Sequence, residues 1–238
     1  QEIDLVYQPI IDSIQKVFAP DKRVDRITIS TSWEAGATCP TFNGKSTVAS
    51  ARKAFMAALK ERNLCYQSSI KTLPATHFQA DTFGIVNVSV ANLRTMPKHS
   101  GELTTQALLG MPLKVYDQKD DWFLVQTPDR YIAWLEKGAF IRGNYEMMQR
   151  YYGGQLAYLE QRPSRSLTTS PVGGLPVRDL TPGSLLRTGE QVGDYRQIIL
   201  PDGKFGYLPA TEIRSLAHWQ NRAQTLELDL LATKFYGN

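Results

Sequence analysis

Two cysteines and three histidines are the side chains of this sequence best suited to nucleophilic or metal chemistry. Thiolate catalysis needs a cysteine within reach of an imidazole base, and zinc needs clustered Cys and His ligands at short spacing. Cys39 and Cys65 share no C-x-x-C spacing, and His77, His99 and His218 lie far apart along the chain. This spacing argues against a zinc site. A Cys–His pair brought together only by folding stays open. The cysteines read either as two buried thiols or as a disulfide, and a disulfide requires an exporting, oxidising compartment. Ser46, Ser100 and the other hydroxyls stand in no nucleophile motif, and no cofactor is expected.

Composition narrows the classes further. With 238 residues, 42% hydrophobic and 21% charged, the chain reads as a soluble globular protein of two or three compact units. No apolar run approaches the ~18 residues of a membrane span, and no leader with a basic end, apolar middle and cleavage site is present. The start, Gln1-Glu2-Ile3-Asp4, reads equally as the mature end of an exported protein or as an arbitrary boundary. The net charge of +4 and pI near 9.0 come from dispersed Lys and Arg. That is a weak footprint for nucleic acid but suits an anionic polymer.

These residues must be positioned by the elements around them. Ile3, Val6, Ile10, Ile14, Val17 and Phe18 recur at helical spacing and predict a helix over 3–18, with Pro9 inside it and Pro20 stopping it. Arg26–Ser30 alternates as a half-buried strand, and 38–42 returns as a second. Asn43-Gly44 is a turn signal, and Ser46 or Thr47 is placed to cap a helix carrying Val48, Ala51, Phe55, Ala58 and Leu59. Cys65–Leu73 reads as a third strand. The order helix, strand, strand, helix, strand gives a small α+β domain over 1–80, followed by a linker.

From Gly84 to Arg142 the chain becomes short β-runs separated by turns, the pattern of a small barrel. Residues 143–156 read as a connector with some helix. The pattern then recurs on one ungapped offset. Gly110-x-x-Leu113 matches Gly183-x-x-Leu186, Asp121-Trp122 matches Asp194-Tyr195, Pro128-Asp129 matches Pro201-Asp202, and Ala133-Trp134-Leu135 matches Gly206-Tyr207-Leu208. The fold expected is therefore multi-domain: the α+β domain, two all-β barrels over 84–142 and 157–215, and a C-terminal helix from 216. Leu216, Trp219, Ala223, Leu226, Leu230 and Leu231 lie on or near one side of that helix.

Val90-Ala91-Asn92-Leu93-Arg94-x-x-Pro97, followed by Asp121-Trp122-Phe123-Leu124-Val125 and Tyr131-Ile132-Ala133-Trp134-Leu135, resembles a bacterial SH3-like domain. It is most similar to the tandem SH3-like region preceding NlpC-type cysteine peptidase domains. Those enzymes are γ-D-glutamyl-L-diamino acid endopeptidases, also called dipeptidyl-peptidase VI, acting on peptidoglycan stem peptides. The resemblance covers 84–215, and more loosely the leader domain of Bacteroides-type members. It implies an exported protein of the periplasm or cell envelope, with peptidoglycan or its stem peptides and a peptidase domain, in cis or in trans, as partners. The family's Asp-Cys-Ser-Gly nucleophile turn is not among these residues. Residues 226–237 look like the helix that opens the peptidase domain, so the expectation is a fragment of a longer enzyme or a chain that lost its catalytic part.

In the resembled peptidases the first SH3-like domain narrows the substrate groove, and a tyrosine ahead of the small–aromatic dipeptide binds the free amine of the stem's L-Ala. Tyr131 stands at that position, and Glu102, in the preceding long loop, is the second candidate wall. A carboxylate and a phenol oxygen both accept from an ammonium group, so such a site would select a free N-terminus. Lys204 is Tyr131's counterpart in the second copy, so the barrel itself does not require tyrosine there. Trp122 and Trp134 read as core or barrel-edge aromatics, and His99 as surface. The alternatives are a stand-alone envelope protein binding peptidoglycan or a peptide, and a Pro-rich-peptide adaptor by fold analogy. Nucleic-acid binding lacks interleaved basic and aromatic residues.

Overall fold

The computed structural model describes residues 2–160 and 166–218. In chain order these form α1 (Glu2–Phe18), β1 (Ile27–Ser32), β2 (Thr41–Ser46), α2 (Ala49–Glu61), β3 (Gln67–Thr72), β4 (Phe83–Val86), β5 (Val90–Arg94), β6 (Leu103–Leu108), β7 (Pro112–Lys119), β8 (Trp122–Gln126), β9 (Ile132–Glu136) and β10 (Phe140–Gly143). There follow α3 (Tyr145–Tyr152), β11 (Gln155–Leu159), β12 (Ser166–Thr168), β13 (Pro176–Asp179), β14 (Leu185–Val192), β15 (Tyr195–Ile199), β16 (Phe205–Pro209) and β17 (Ile213–Ser215). The protein is mostly β. Residues 216–218 are helical, and the remainder of the expected C-terminal helix, including Trp219 and the stripe beyond it, lies outside the described residues.

The described residues form two compact units, one made of residues 2–82, 93–105 and 113–137, the other of 83–92, 106–112, 138–160 and 166–218. In the first, β2 is the centre of a three-stranded sheet, antiparallel to β1 and parallel to β3. The parallel pair needs a crossover, and α2 supplies it. Ala51, Phe55 and Leu59 of α2 are buried, as their four-residue spacing predicts. On α1 the buried stripe is Tyr7, Ile10, Ile11 and Ile14, whereas Val6 and Val17 are exposed. The sequence stripe through Val6 and Val17 is thus corrected to a neighbouring face. That face meets Phe42 of β2, whose ring lies 5.3 Å from Tyr7 and 5.1 Å, edge-on, from Phe55. Such aromatic pairs add about 0.5–1.5 kcal/mol beyond their burial.

Asn43-Gly44, expected to be a turn, lies inside β2. A Cβ on Gly44 would sit 2.0 Å from the Thr28 carbonyl oxygen of β1. Glycine is there because the two backbones approach too closely for any side chain. The expected cap of α2 is also changed. Ser46 Oγ accepts from the Val48 amide at 3.0 Å, one residue ahead of the first helical turn, and the N-cap Val48 itself offers no side-chain bond.

The first unit also holds the antiparallel run β7–β8–β9, with Arg94 of β5 opposite Trp134 of β9. Leu73 packs there with Tyr116, Leu124 and Ile132, and Ala75 and Trp134 close the cluster. The second unit contains the β4–β10 pair, α3 and a seven-stranded sheet in the order β13-β12-β16-β15-β14-β11-β17. Its core gathers Leu109, Leu159, Leu167, Leu186, Ile198 and Leu208. Among the described residues every sheet is an open succession of strands, so the expected closed barrels are not formed. In the seven-stranded sheet of the second unit the two end strands, β13 and β17, are only four and three residues long, and among the described residues each pairs on one side only, β13 with β12 and β17 with β11.

Strand bounds recur on the offset seen in the sequence, β7, β8 and β9 corresponding residue for residue to β14, β15 and β16. The offset extends to backbone detail. Gly110 and Gly183 have φ of 81° and 88°, and their amides donate to Val86 and Leu159, both at 2.9 Å. A register shift after Val115 has its counterpart after Thr188. Such bulges bend a strand and increase its twist.

Candidate substrate-binding site

Tyr131 is the residue immediately before β9, at the end of the turn that leaves β8. Pro128-Asp129 makes that turn, as expected. The Thr127 amide donates to the Tyr131 carbonyl at 3.0 Å and Thr127 Oγ1 donates to it at 3.2 Å. Arg130 takes a φ of 72° to complete the reversal. The same closure joins Leu200 to Lys204 at 2.8 Å, so the turn geometry holds with tyrosine or lysine at this place.

The side chain of Tyr131 is half-buried, and a cation stands against its ring: the Arg23 guanidinium carbon is 5.5 Å from the ring centroid. Arg23 is held by Asp21 through Nε at 3.0 Å and Nη2 at 2.8 Å. Hydrogen bonding from Arg23 keeps the Asp21 carboxyl at about 2, below its ordinary range, and the same bond raises the Arg23 pKa.

Backbone contacts place this pair. The Ile132 amide donates to the Arg23 carbonyl at 2.6 Å, and Arg26 Nη2 donates to the Ile132 carbonyl at 2.8 Å. Burial lowers the Arg26 pKa. Gln126 braces the turn, donating to the Arg130 carbonyl at 3.0 Å and accepting from the Tyr116 hydroxyl at 3.0 Å.

Glu102 is exposed at the end of the loop between β5 and β6. Its carbonyl accepts from Thr95 at 2.9 Å, and Arg94 Nη1 closes the loop on the Gly101 carbonyl at 2.8 Å. Among the described residues its carboxylate makes no hydrogen bond or ion pair, and nothing joins it directly to Tyr131. His99, in the same loop, is on the surface as expected. It lies 5.2 Å from the Trp122 ring and 3.9 Å from Glu136. Trp122 is buried, and Trp134 is partly buried against the Leu73 cluster.

Cys39 and Cys65 form a disulfide with Cα atoms 5.4 Å apart. The alternative of buried free thiols is therefore corrected. Cys65 is exposed, and each sulfur is tied to the other rather than available as a thiolate. His77 lies against Phe78 and His218 bonds the Tyr158 hydroxyl at 3.2 Å. Among the described residues no three His, Cys, Asp or Glu side chains cluster as metal ligands, and no helix is long and apolar enough to cross a membrane.

Sequence reasoning missed Asp21, Arg23 and Arg26 as neighbours of Tyr131. Their only signal is the alternating-charge run Asp21-Lys22-Arg23-Val24-Asp25-Arg26 after Pro20, a pattern shared by any solvated loop.

No curated protein matches the chain. Among solved structures, an NlpC/P60 family protein from Bacillus cereus aligns with 56% of this chain at 20% identity and a TM-score of 0.47. An NlpC/P60 endopeptidase from Photobacterium damselae subsp. piscicida aligns with 89% at 11% identity and a TM-score of 0.44. The chain spans 56% and 44% of those two proteins. One family model matches within the chain, over residues 93–140, a stretch that carries both Glu102 and Tyr131. What this protein shares with a recognised family is thus that stretch, which matches the bacterial dipeptidyl-peptidase SH3 domain.

Proposed function

We propose that this chain is the non-catalytic cell-wall targeting and substrate-gating region of a peptidoglycan-peptide cysteine endopeptidase. The single observation that carries the reading is the dipeptidyl-peptidase SH3 match over residues 93–140, which contains both proposed walls of the site. The layout proposed is an α+β module over 1–80, a first SH3-like module over 84–142, a second over 157–215 in tandem, and a helix from 216 leading to the catalytic domain. The constant offset between the β7–β9 and β14–β16 runs supports the tandem.

In this reading Tyr131 accepts a hydrogen bond from the free amine of the stem peptide's L-Ala, and Glu102 supplies the opposing charge. The nucleophile is furnished by a peptidase domain in cis or in trans. The Cys39–Cys65 disulfide supports that division of labour, since it leaves neither sulfur as a thiolate. It also supports an exported protein of the cell envelope, where disulfides persist.

The test is binding of purified chain to isolated sacculi, together with titration of L-Ala-γ-D-Glu-L-Lys and its N-acetyl form by calorimetry. Retention on sacculi and at least about ten-fold tighter binding of the free-amine peptide are expected, since charge-assisted bonds are lost on acylation. Tyr131→Phe should remove most of that preference. Equal binding of both peptides by the wild-type chain would overturn the reading.

A further inference from the structure

We infer that Arg23 is a specificity-determining residue of the Tyr131 site, reading a carboxylate that lies close to the bound amine: the free α-carboxylate of a γ-linked glutamate. This rests on the proposed role of Tyr131. The backbone fixes Arg23 beside that tyrosine, because its carbonyl accepts from the Ile132 amide at 2.6 Å. Its guanidinium stands 5.5 Å from the centre of the Tyr131 ring. Asp21 takes Nε and Nη2, and Nη1 makes no hydrogen bond among the described residues. A guanidinium has five donors in a planar fork suited to carboxylates, and this one is 65% exposed.

The charges decide what such a place accepts. A ligand bringing only an ammonium to Tyr131 would meet the like charge of Arg23, offset in part by Asp21. A ligand bringing an ammonium and a nearby carboxylate relieves that repulsion and gains a charge-assisted bond. In an L-Ala-γ-D-Glu peptide the γ-linkage consumes the side-chain carboxyl of glutamate, so its α-carboxylate stays free. That group lies on the order of 6 Å from the alanine nitrogen, little more than one extended residue. The Arg23 guanidinium carbon is 5.5 Å from the centre of the ring that carries the accepting hydroxyl, so a ligand of this length can engage both side chains. The pair therefore distinguishes a glutamate from its α-carboxamide, as well as a free amine from an acylated one.

The experiment titrates the full chain with three synthetic peptides by calorimetry: L-Ala-γ-D-Glu-L-Lys, its glutamate α-carboxamide, and its N-acetyl form. The wild type is expected to bind the free acid about three- to ten-fold tighter than the carboxamide, the scale of one exposed charge-assisted pair. Arg23→Gln should bind acid and carboxamide alike while still rejecting the N-acetyl peptide. Arg23→Lys, which keeps the charge but loses the fork, should retain part of the discrimination. Amide spectra of both variants verify the fold, which the backbone bond to Ile132 maintains independently of the side chain. Equal wild-type affinity for acid and carboxamide, with the N-acetyl form still rejected, overturns the inference and leaves the Tyr131 reading standing. Tighter binding of the free acid by Arg23→Gln also overturns it, marking Arg23 as a competitor for the ring. Equal wild-type affinity for the N-acetyl and free-amine peptides removes the Tyr131 reading and this inference with it.

Discussion

Replacing Cys39 and Cys65 together by alanine should destabilise the first unit by about 2–3.5 kcal/mol. The bond spans a sequence separation of 26 residues. The chain-entropy relation gives about 3.5 kcal/mol at 25 °C for a loop of that length, and compact unfolded ensembles reduce it. The closed loop contains β2 and α2 entire, so the bond restrains the crossover that the parallel β2–β3 pair depends on. Urea unfolding of oxidised wild type and the double variant measures the difference, with hydrogen exchange at β1–β3 amides localising it. A lower midpoint is expected, with a modestly steeper slope because the unfolded chain without the cross-link exposes more surface. A loss under about 1 kcal/mol would refute the entropic account, and an equal loss of exchange protection in β14–β16 would refute its confinement to the first unit.

Three further outcomes follow from the packing. Gly44→Ala and Gly110→Ala should each cost several kcal/mol, because the new Cβ would sit 2.0 Å from the Thr28 carbonyl oxygen and 1.7 Å from that of Leu185. Gly138→Ala, with open space around it, is the neutral control in thermal melts. Phe55→Ala, at a fully buried position edge-on to Phe42, should lose about 3–5 kcal/mol in the same urea assay. Burial raises Tyr151 to about 12 and Tyr152 higher still. Both folded-state values lie above the unfolded one near 10, so their contribution is fully present below pH 10 and is lost as pH rises towards 12 and beyond. Ultraviolet titration at 295 nm should show two phenols resisting ionisation until the protein unfolds, and Tyr151→Phe with Tyr152→Phe should abolish that late step.

Much of this architecture was legible because it depends on local chemistry repeated at fixed spacing. The element order of residues 1–80 follows from helical and alternating periods, and the glycines at 110 and 183 mark the same left-handed position. Asn43-Gly44 misled because a dipeptide reports its own turn preference. The pinch between β1 and β2 that demands glycine is set by a strand some fifteen residues earlier. Barrel closure was not legible either, since it depends on how many residues of an edge strand find partners rather than on whether the strand exists. At the candidate site, Tyr131 and Glu102 were visible only through resemblance. Arg23 was invisible, because a cation above a ring more than a hundred residues away in sequence is a product of docking, not of pattern.

The closure shared by Thr127–Tyr131 and Leu200–Lys204 makes the later turn a vacant socket. The two turns hold the same hydrogen bond and the same Pro-Asp pair while differing at the other three places, so three substitutions rewrite residues 200–204 as Thr-Pro-Asp-Arg-Tyr without asking the backbone to change course. Such a graft would separate what the turn contributes from what its surroundings contribute. Recognition that travels with five residues belongs to the turn, and recognition that stays behind belongs to the charged segment which only the earlier turn meets.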